Sequence, residues 1–275
     1  MNFIPETTAL FLDKKKEVED FISFLKKLAS RDTKIKYKVE TNRFEDLFFE
    51  PQSNTTFPDN QILPITIKED NVSNELMHTL KSSGILLLYS LSEAIVSTLM
   101  REIHEHFKNK LESNQLNVRK INEKLMTRII EHHKSSNKMA GYIIQHINRP
   151  RVRSIEKILF QEWLEFYRKK VEDEDKSPWF SGNVDNRSIK ELGEIYGFYQ
   201  IAESTIFTRQ QCNTLVRVKK GRNQLAHGKK SFIDYGADLA VDDLETFSLD
   251  IFTYLENLMR LINDYLANQN YINCR

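Results

Sequence analysis

Apolar residues recur in this sequence at helical intervals over most of its length, and that period constrains the fold more than any other feature. Between about residues 6 and 30, Leu10, Val18, Phe21, Ile22, Leu25 and Leu28 fall on one helical face. A longer helix is expected over about His78–Lys110, with a stripe of Leu80, Leu87, Leu91, Ile95, Leu99 and Ile103. Further helices are expected over Val118–His133, Ser154–Lys170, Arg187–Tyr196 (stopped by Gly197) and about Ile206–Ala226 (stopped by Gly228). Asp242-Asp-Leu-Glu245 has a capping-box pattern and opens a last helix whose face carries Leu244, Phe247, Ile251, Tyr254, Leu258 and Ile262. The expected class is mainly α.

One stretch departs from the pattern. Lys34-Ile-Lys-Tyr-Lys-Val alternates like a short strand, and Pro51, Pro58 and Pro64 then fall close together among Asn, Asp and Ser. These features divide the chain into a small helical or mixed N-terminal module, residues 1–65, whose role the sequence does not name, and a larger α-helical domain, residues 66–275. The acidic run Glu172-Asp-Glu-Asp before Ser177-Pro178 reads as a loop.

Composition removes several function classes. Forty Lys and Arg against 39 Asp and Glu leave a net charge of +1, which excludes a uniformly basic nucleic-acid coat but not a local basic patch. Cys212 and Cys274 cannot build a disulfide scaffold or a four-cysteine zinc site, and a reducing cytoplasm is the expected location. The apolar run Ile85–Met100 is interrupted by Ser90, Ser92, Glu93, Ser97 and Thr98 and reads as a buried core helix; no membrane association and no secretory signal are expected. No GxGxxG, GxxxxGK[ST], GxSxG or HExxH occurs, so dinucleotide, P-loop, α/β-hydrolase and metalloprotease chemistry lose their usual warrants. Among the seven histidines, His104 with His106 and His132 with His133 lack chelating spacing and read as solvated helix surface, while His78 and His146 are isolated.

His227 has different surroundings. From Ser204 through Ile233 there is no acidic residue, while Arg209, Arg217, Lys219, Lys220, Arg222, Lys229 and Lys230 all fall there. Such a patch attracts phosphate and adds salt-dependent affinity for nucleic acid. A histidine in the last turn of a helix, where the dipole favours a cation, beside a fixed guanidinium, has the equipment for phosphodiester transfer. A basic helix end with a surface histidine accounts for the same residues.

Arg222-Asn223-Gln224-Leu225-Ala226-His227 resembles the R-N-x-x-A-H form of the Rx4–6H motif of the HEPN superfamily, α-helical bundles of which many are metal-independent endoribonucleases. Ser181-Gly182-Asn183, Tyr196-Gly197, Gly228, Ser231-Phe232, Asp243-Leu244 and Leu86-Leu-Leu-Tyr-Ser with Glu93 are similar to one bacterial branch of predicted HEPN nucleases, extending the likeness over roughly residues 75 to 267. The resemblance implies Arg222 as the motif arginine, Asn223 as the polar residue after it and His227 as the motif histidine, with no cofactor and no metal. Arg217, Lys219, Lys220, Lys229 and Lys230 would contact RNA. Lys229 stands two residues after the histidine, where HEPN proteins paired with nucleotidyltransferases usually carry a tyrosine.

Arg222 and His227, five residues apart, lie about 140° from each other around an ideal helix. One chain holds them awkwardly about a single phosphate; a two-fold dimer with this helix end near its axis brings both copies into one cleft, the HEPN ribonuclease arrangement. The expectation is an endoribonuclease acting by 2′-OH attack, a homodimeric toxin or anti-phage effector with RNA as substrate and an antitoxin or regulatory protein as a further partner. The alternative is a non-catalytic RNA-binding or dimerisation module in a toxin–antitoxin or defence system.

Overall fold

The run Ile85–Met100 lies inside α2 (Asn74–Glu112), a 39-residue helix and so about 58 Å long. Ser73 caps it, its hydroxyl accepting from the Leu76 N–H at 3.1 Å. In length and composition α2 could cross a membrane, but 61% of its most apolar 18-residue window is buried inside the protein. It is the helix on which most of the other described helices pack. The computed structural model describes residues 2–29, 34–39, 66–71, 73–135, 155–174, 179, 183–199 and 206–272, with only the backbone path for both strands and for residues 134–135 and 172–174. Pro51, Pro58 and Pro64, His146, Ser177–Pro178, Ser181–Gly182 and Cys274 lie outside the described residues.

The described part is mainly α, with one two-stranded sheet. Helix α1 (Pro5–Ala29) precedes β1 (Lys34–Val39) and β2 (Thr66–Asn71), which pair antiparallel with Lys34 opposite Asn71. After α2 come a 3₁₀ turn (Val118–Lys120), α3 (Glu123–Ser135), α4 (Ile155–Glu174), α5 (Asn186–Tyr196), α6 (Arg209–Ala226), the short α7 (Phe232–Ala237) and α8 (Val241–Ala267). Helices α1, α4, α6, α7 and α8 all pack on α2, and α3 packs on α4 and α5.

Periodicity located the buried faces. All six stripe residues expected on α8, Leu244 through Ile262, are buried, as are Val18, Ile22, Leu25 and Leu28 of α1. Each fully buried Leu or Ile contributes about 2 kcal/mol of transfer free energy. Helix α1 shares its core with α2 and α8. Its start is also fixed by α2: the buried Glu102 carboxylate accepts from the Glu6 and Thr7 N–H groups at 2.8 and 3.2 Å and from the Thr7 hydroxyl at 2.5 Å. Pro5 at the first helical position has no N–H of its own to satisfy.

Several expectations are corrected. Helix α4 runs to Glu174, through most of the acidic run expected as a loop. Glu is a good helix former, and Leu159, Phe160, Trp163 and Leu164 bury the face that carries the helix along. Between Val118 and His133 the chain makes a 3₁₀ turn before α3, because Asn122 caps the new helix by accepting from the Lys124 N–H at 2.9 Å. Helix α8 begins at Val241, and only half a capping box forms: Asp243 accepts from the Ala240 N–H at 3.0 Å, while Ala240 has no side-chain oxygen to reciprocate. His104 and His133 are buried rather than solvated, and His106 is partly buried, because α4 and α5 and the chain near Tyr271 cover those faces.

Candidate active site

Helix α6 delivers the Arg222–His227 segment, and its two ends explain where that segment stands. At the start Thr208 and Gln211 form a reciprocal capping box, each side chain accepting from the other's backbone N–H at 3.2 and 2.9 Å. At the end Gly228 takes φ +63°, a left-handed conformation that costs glycine little. Gly228 N–H donates to the Leu225 carbonyl at 3.1 Å and Lys229 N–H to the Gln224 carbonyl at 2.8 Å, the Schellman closure. His227 is the C-cap, exposed to solvent.

The inward face of α6 carries Leu215, Val218, Gly221 and Leu225. A Cβ at Gly221 would meet Tyr235 Oη at 2.2 Å and Ile85 Cγ2 at 2.9 Å, so the helix sits as close to α2 and α7 as a glycine allows. This approach lays Arg222 over the ring of Tyr89 on α2, with Cζ 4.9 Å from the ring centroid. Arg222 Nη1 donates to Asn223 Oδ1 at 3.0 Å, and Asn223 Nδ2 donates to Asn183 Oδ1 at 2.8 Å. Guanidinium, amide and amide form one directed chain across 40 residues of sequence.

Asn183 belongs to a short segment fastened at three successive residues. Val184 N–H donates to Tyr89 Oη at 3.2 Å, and Asp185 pairs with Lys219 of α6 while capping α5 through the Ser188 N–H at 2.9 Å. Tyr89 is 3% exposed. Burial pushes its phenol above the ordinary value, opposed by the Val184 N–H and the Arg222 charge, so it stays a neutral platform. For Asp185, burial pushes the carboxyl up, but bonds from Lys219 and Ser188 outweigh this and hold it below the usual range.

The basic residues separate in space. Lys219 is committed to Asp185, and its side chain is only 22% exposed. Lys230 pairs with Asp238 at 2.8 Å, and Arg217 lies on the Phe247 ring, Cζ 4.6 Å from its centroid. Lys220 and Lys229 are exposed. A window free of acids in sequence thus acquires Asp185 and Asp238 in the fold, and Asp250 accepts from Thr214 at 2.7 Å and from Gln210 at 3.1 Å. Among the described residues no three His, Cys, Asp or Glu side chains converge as a metal-binding group.

A protein-family model described as HEPN_MAE_28990-like HEPN matches residues 10–271. The chain belongs to the HEPN family. No curated protein and no solved structure matches it. The HEPN match starts inside α1 and so reaches further toward the N-terminus than the likeness carried by the motifs, which begins near residue 75. In this HEPN chain two residues beside the motif escaped the sequence reading as site components, Tyr89 and Asn183. Both lie within stretches that carry the resemblance, but their contacts with Arg222 and Asn223 span 133 and 40 residues, and no local period reveals such pairs.

Proposed function

We propose that this HEPN protein is a metal-independent endoribonuclease. The ribose 2′-OH attacks the adjacent phosphorus, a 2′-O–P bond forms as the P–O5′ bond breaks, and the products are a 2′,3′-cyclic phosphate and a 5′-OH. His227 transfers the proton, an action typically worth about 10²–10⁴ in rate. Arg222 binds the phosphate and offsets the charge that grows in the transition state. Asn223 orients the guanidinium.

One observation carries this reading: Arg222 is set in advance by the Tyr89 ring and by the Asn223–Asn183 chain, on the same helix end that presents His227 to solvent. A guanidinium has five N–H groups, and fixing it through one bond and one ring face leaves donors for a phosphate. In a two-fold dimer two such helix ends share a cleft, with RNA positioned by exposed Lys220 and Lys229. The biological role proposed is that of a toxin or anti-phage effector.

The deciding experiment is incubation of the purified protein with RNA in excess EDTA, with analysis of the fragment ends. Cyclic phosphate and 5′-hydroxyl ends are expected. Strict dependence on added Mg²⁺ overturns the mechanism, and RNA binding without cleavage at high protein concentration returns the non-catalytic binding module.

A further inference from the structure

Arg209 opens α6 and His227 caps its end, five full turns later, so the two lie on one line along the helix about 27 Å apart. Lys220 falls within about 20° of that line and Asn213 within about 40°. All four residues are exposed. A straight polar track therefore leads from the helix end that presents His227 back to the start of α6.

Beside the track a groove of about 520 Å³ opens between α6 and α8. That size lies within the roughly 300–1,000 Å³ of ligand sites. Helix α6 lines it with Arg209, Asn213 and Arg217, and α8 with Asp243, Thr246 and Asp250. Arg217 lies over the Phe247 ring, Cζ 4.6 Å from its centroid, and yet stays exposed. Phe247 covers one face of the guanidinium and leaves the other for a further planar group, and guanidinium planes stack the bases of single-stranded RNA. Among the described residues neither Arg209 nor Arg217 pairs with a carboxylate, in contrast to Lys219 and Lys230.

The acids of the groove are held in place. Asp250 accepts from Thr214 at 2.7 Å and from Gln210 at 3.1 Å, and Asp243 accepts from the Ala240 N–H at 3.0 Å. A carboxylate offers about four lone-pair sites, so capacity to accept remains on both. Two guanidiniums against two carboxylates give a groove of mixed charge. A bare phosphate is attracted by one pair and repelled by the other. A nucleotide matches both, with a phosphate on Arg209 and an exocyclic amino group of its base on a carboxylate, the pairing by which Asp and Glu read cytosine.

We propose that this groove is a base-reading subsite for single-stranded RNA. It holds one nucleotide of the substrate strand, the base stacked on Arg217 and its amino group donating to Asp250, while the backbone between that nucleotide and His227 runs over Lys220. Arg217 precedes His227 by about 15 Å along the helix axis, so the base that is read lies away from the bond that is cut. The inference rests on RNA being the substrate and adds a sequence preference, cytosine over uracil, which has a carbonyl where cytosine has the amino group. A free mononucleotide carries the same base, and the track that continues to His227 favours the strand.

Binding is measured by fluorescence anisotropy on the full-length protein, with 2′-O-methyl oligomers of about twelve nucleotides, which lack the nucleophile and stay intact. The cytosine oligomer should bind about tenfold more tightly than the uracil oligomer. Arg217→Ala should weaken the cytosine oligomer about tenfold. Asp250→Asn should remove the base preference, and Arg209→Ala should lower the salt slope by about 0.7. Thermal unfolding of all three variants should stay cooperative. Equal binding of the two oligomers by the wild type overturns the proposal, as does a cytosine preference that survives both Arg217→Ala and Asp250→Asn, or an unchanged slope in Arg209→Ala. Cytidine monophosphate that binds as tightly as the oligomer overturns the strand as the occupant. Cleavage of unmodified RNA is scored separately: base preference without cleavage upholds the groove and overturns the nuclease reading, and cleavage without base preference does the reverse.

Discussion

Arg222 is constrained twice, by the Tyr89 ring beneath it and by the Asn223 carbonyl beside it, whereas His227 is an exposed C-cap. Their variants should therefore fail differently. His227→Ala is expected to abolish cleavage with RNA affinity within a few fold, because one imidazole adds little to a surface holding several cations. Arg222→Ala is expected to lose both rate and affinity, since a guanidinium contacts phosphate in ground and transition states alike. Paired cleavage and filter-binding measurements check this, and full activity in His227→Ala would leave the histidine a bland helix-end residue. Asn183→Ala removes one hydrogen bond from the chain that orients Arg222, a change of about 1 kcal/mol. Its rate should fall about fivefold with RNA affinity nearly unchanged; equal losses in both would make Asn183 a binding contact instead.

At the level of elements, the lysines of α6 and its exit divide into anchors and free ends. Lys220 and Lys229 are exposed, so replacing each by Ala should lower the salt slope for single-stranded RNA by about 0.7. Lys219→Ala should leave the slope alone and lower stability, because it strips Asp185 of its partner where α5 meets α6. The same pair gives a pH dependence. Asp185 titrates below its unfolded value, near 3.9, so its contribution is fully present at neutral pH and is lost as pH falls through the folded value. Thermal unfolding of the wild type should therefore steepen its decline below about pH 4, and Asp185→Asn should be less stable at neutral pH with a shallower acid limb. Parallel pH curves for the two proteins would assign that limb to other carboxylates.

For the whole molecule, α1 is held on the bundle by the apolar face from Phe11 to Leu28 and by the Glu102 carboxylate at its first turn. Removing that carboxylate leaves buried N–H groups unsatisfied. Glu102→Ala should cost on the order of 3 kcal/mol and lower Tm by several degrees in calorimetry, and a change below one degree would show that the apolar face alone fixes α1. The two-fold cleft proposed for RNA makes its own demand. Mixed Arg222→Ala and His227→Ala subunits should recover some activity, because the shared cleft then holds one intact Arg222 and one intact His227. Sedimentation that finds only a fully active monomer at micromolar concentration would remove the shared cleft.

Local spacing determined much of this. The stripes on α1, α2 and α8, the glycine that ends α6, and the Arg222-Asn223…His227 motif were all readable because helical period and capping act within a few residues. Other features depended on segments far apart in sequence. The acid-free run around the motif predicted one basic patch, yet Asp185, Asp238 and Asp250 reach it from elsewhere in the fold. His104 looked like solvated surface because two-residue spacing describes only its own helix, and it is buried because Tyr196 and Trp179 close over it from 92 and 75 residues away. Tyr89 and Asn183 became neighbours of the motif for the same reason. Hydrogen bonding and burial across packed helices follow the distance between side chains in space, and a single sequence records only their distance along the chain.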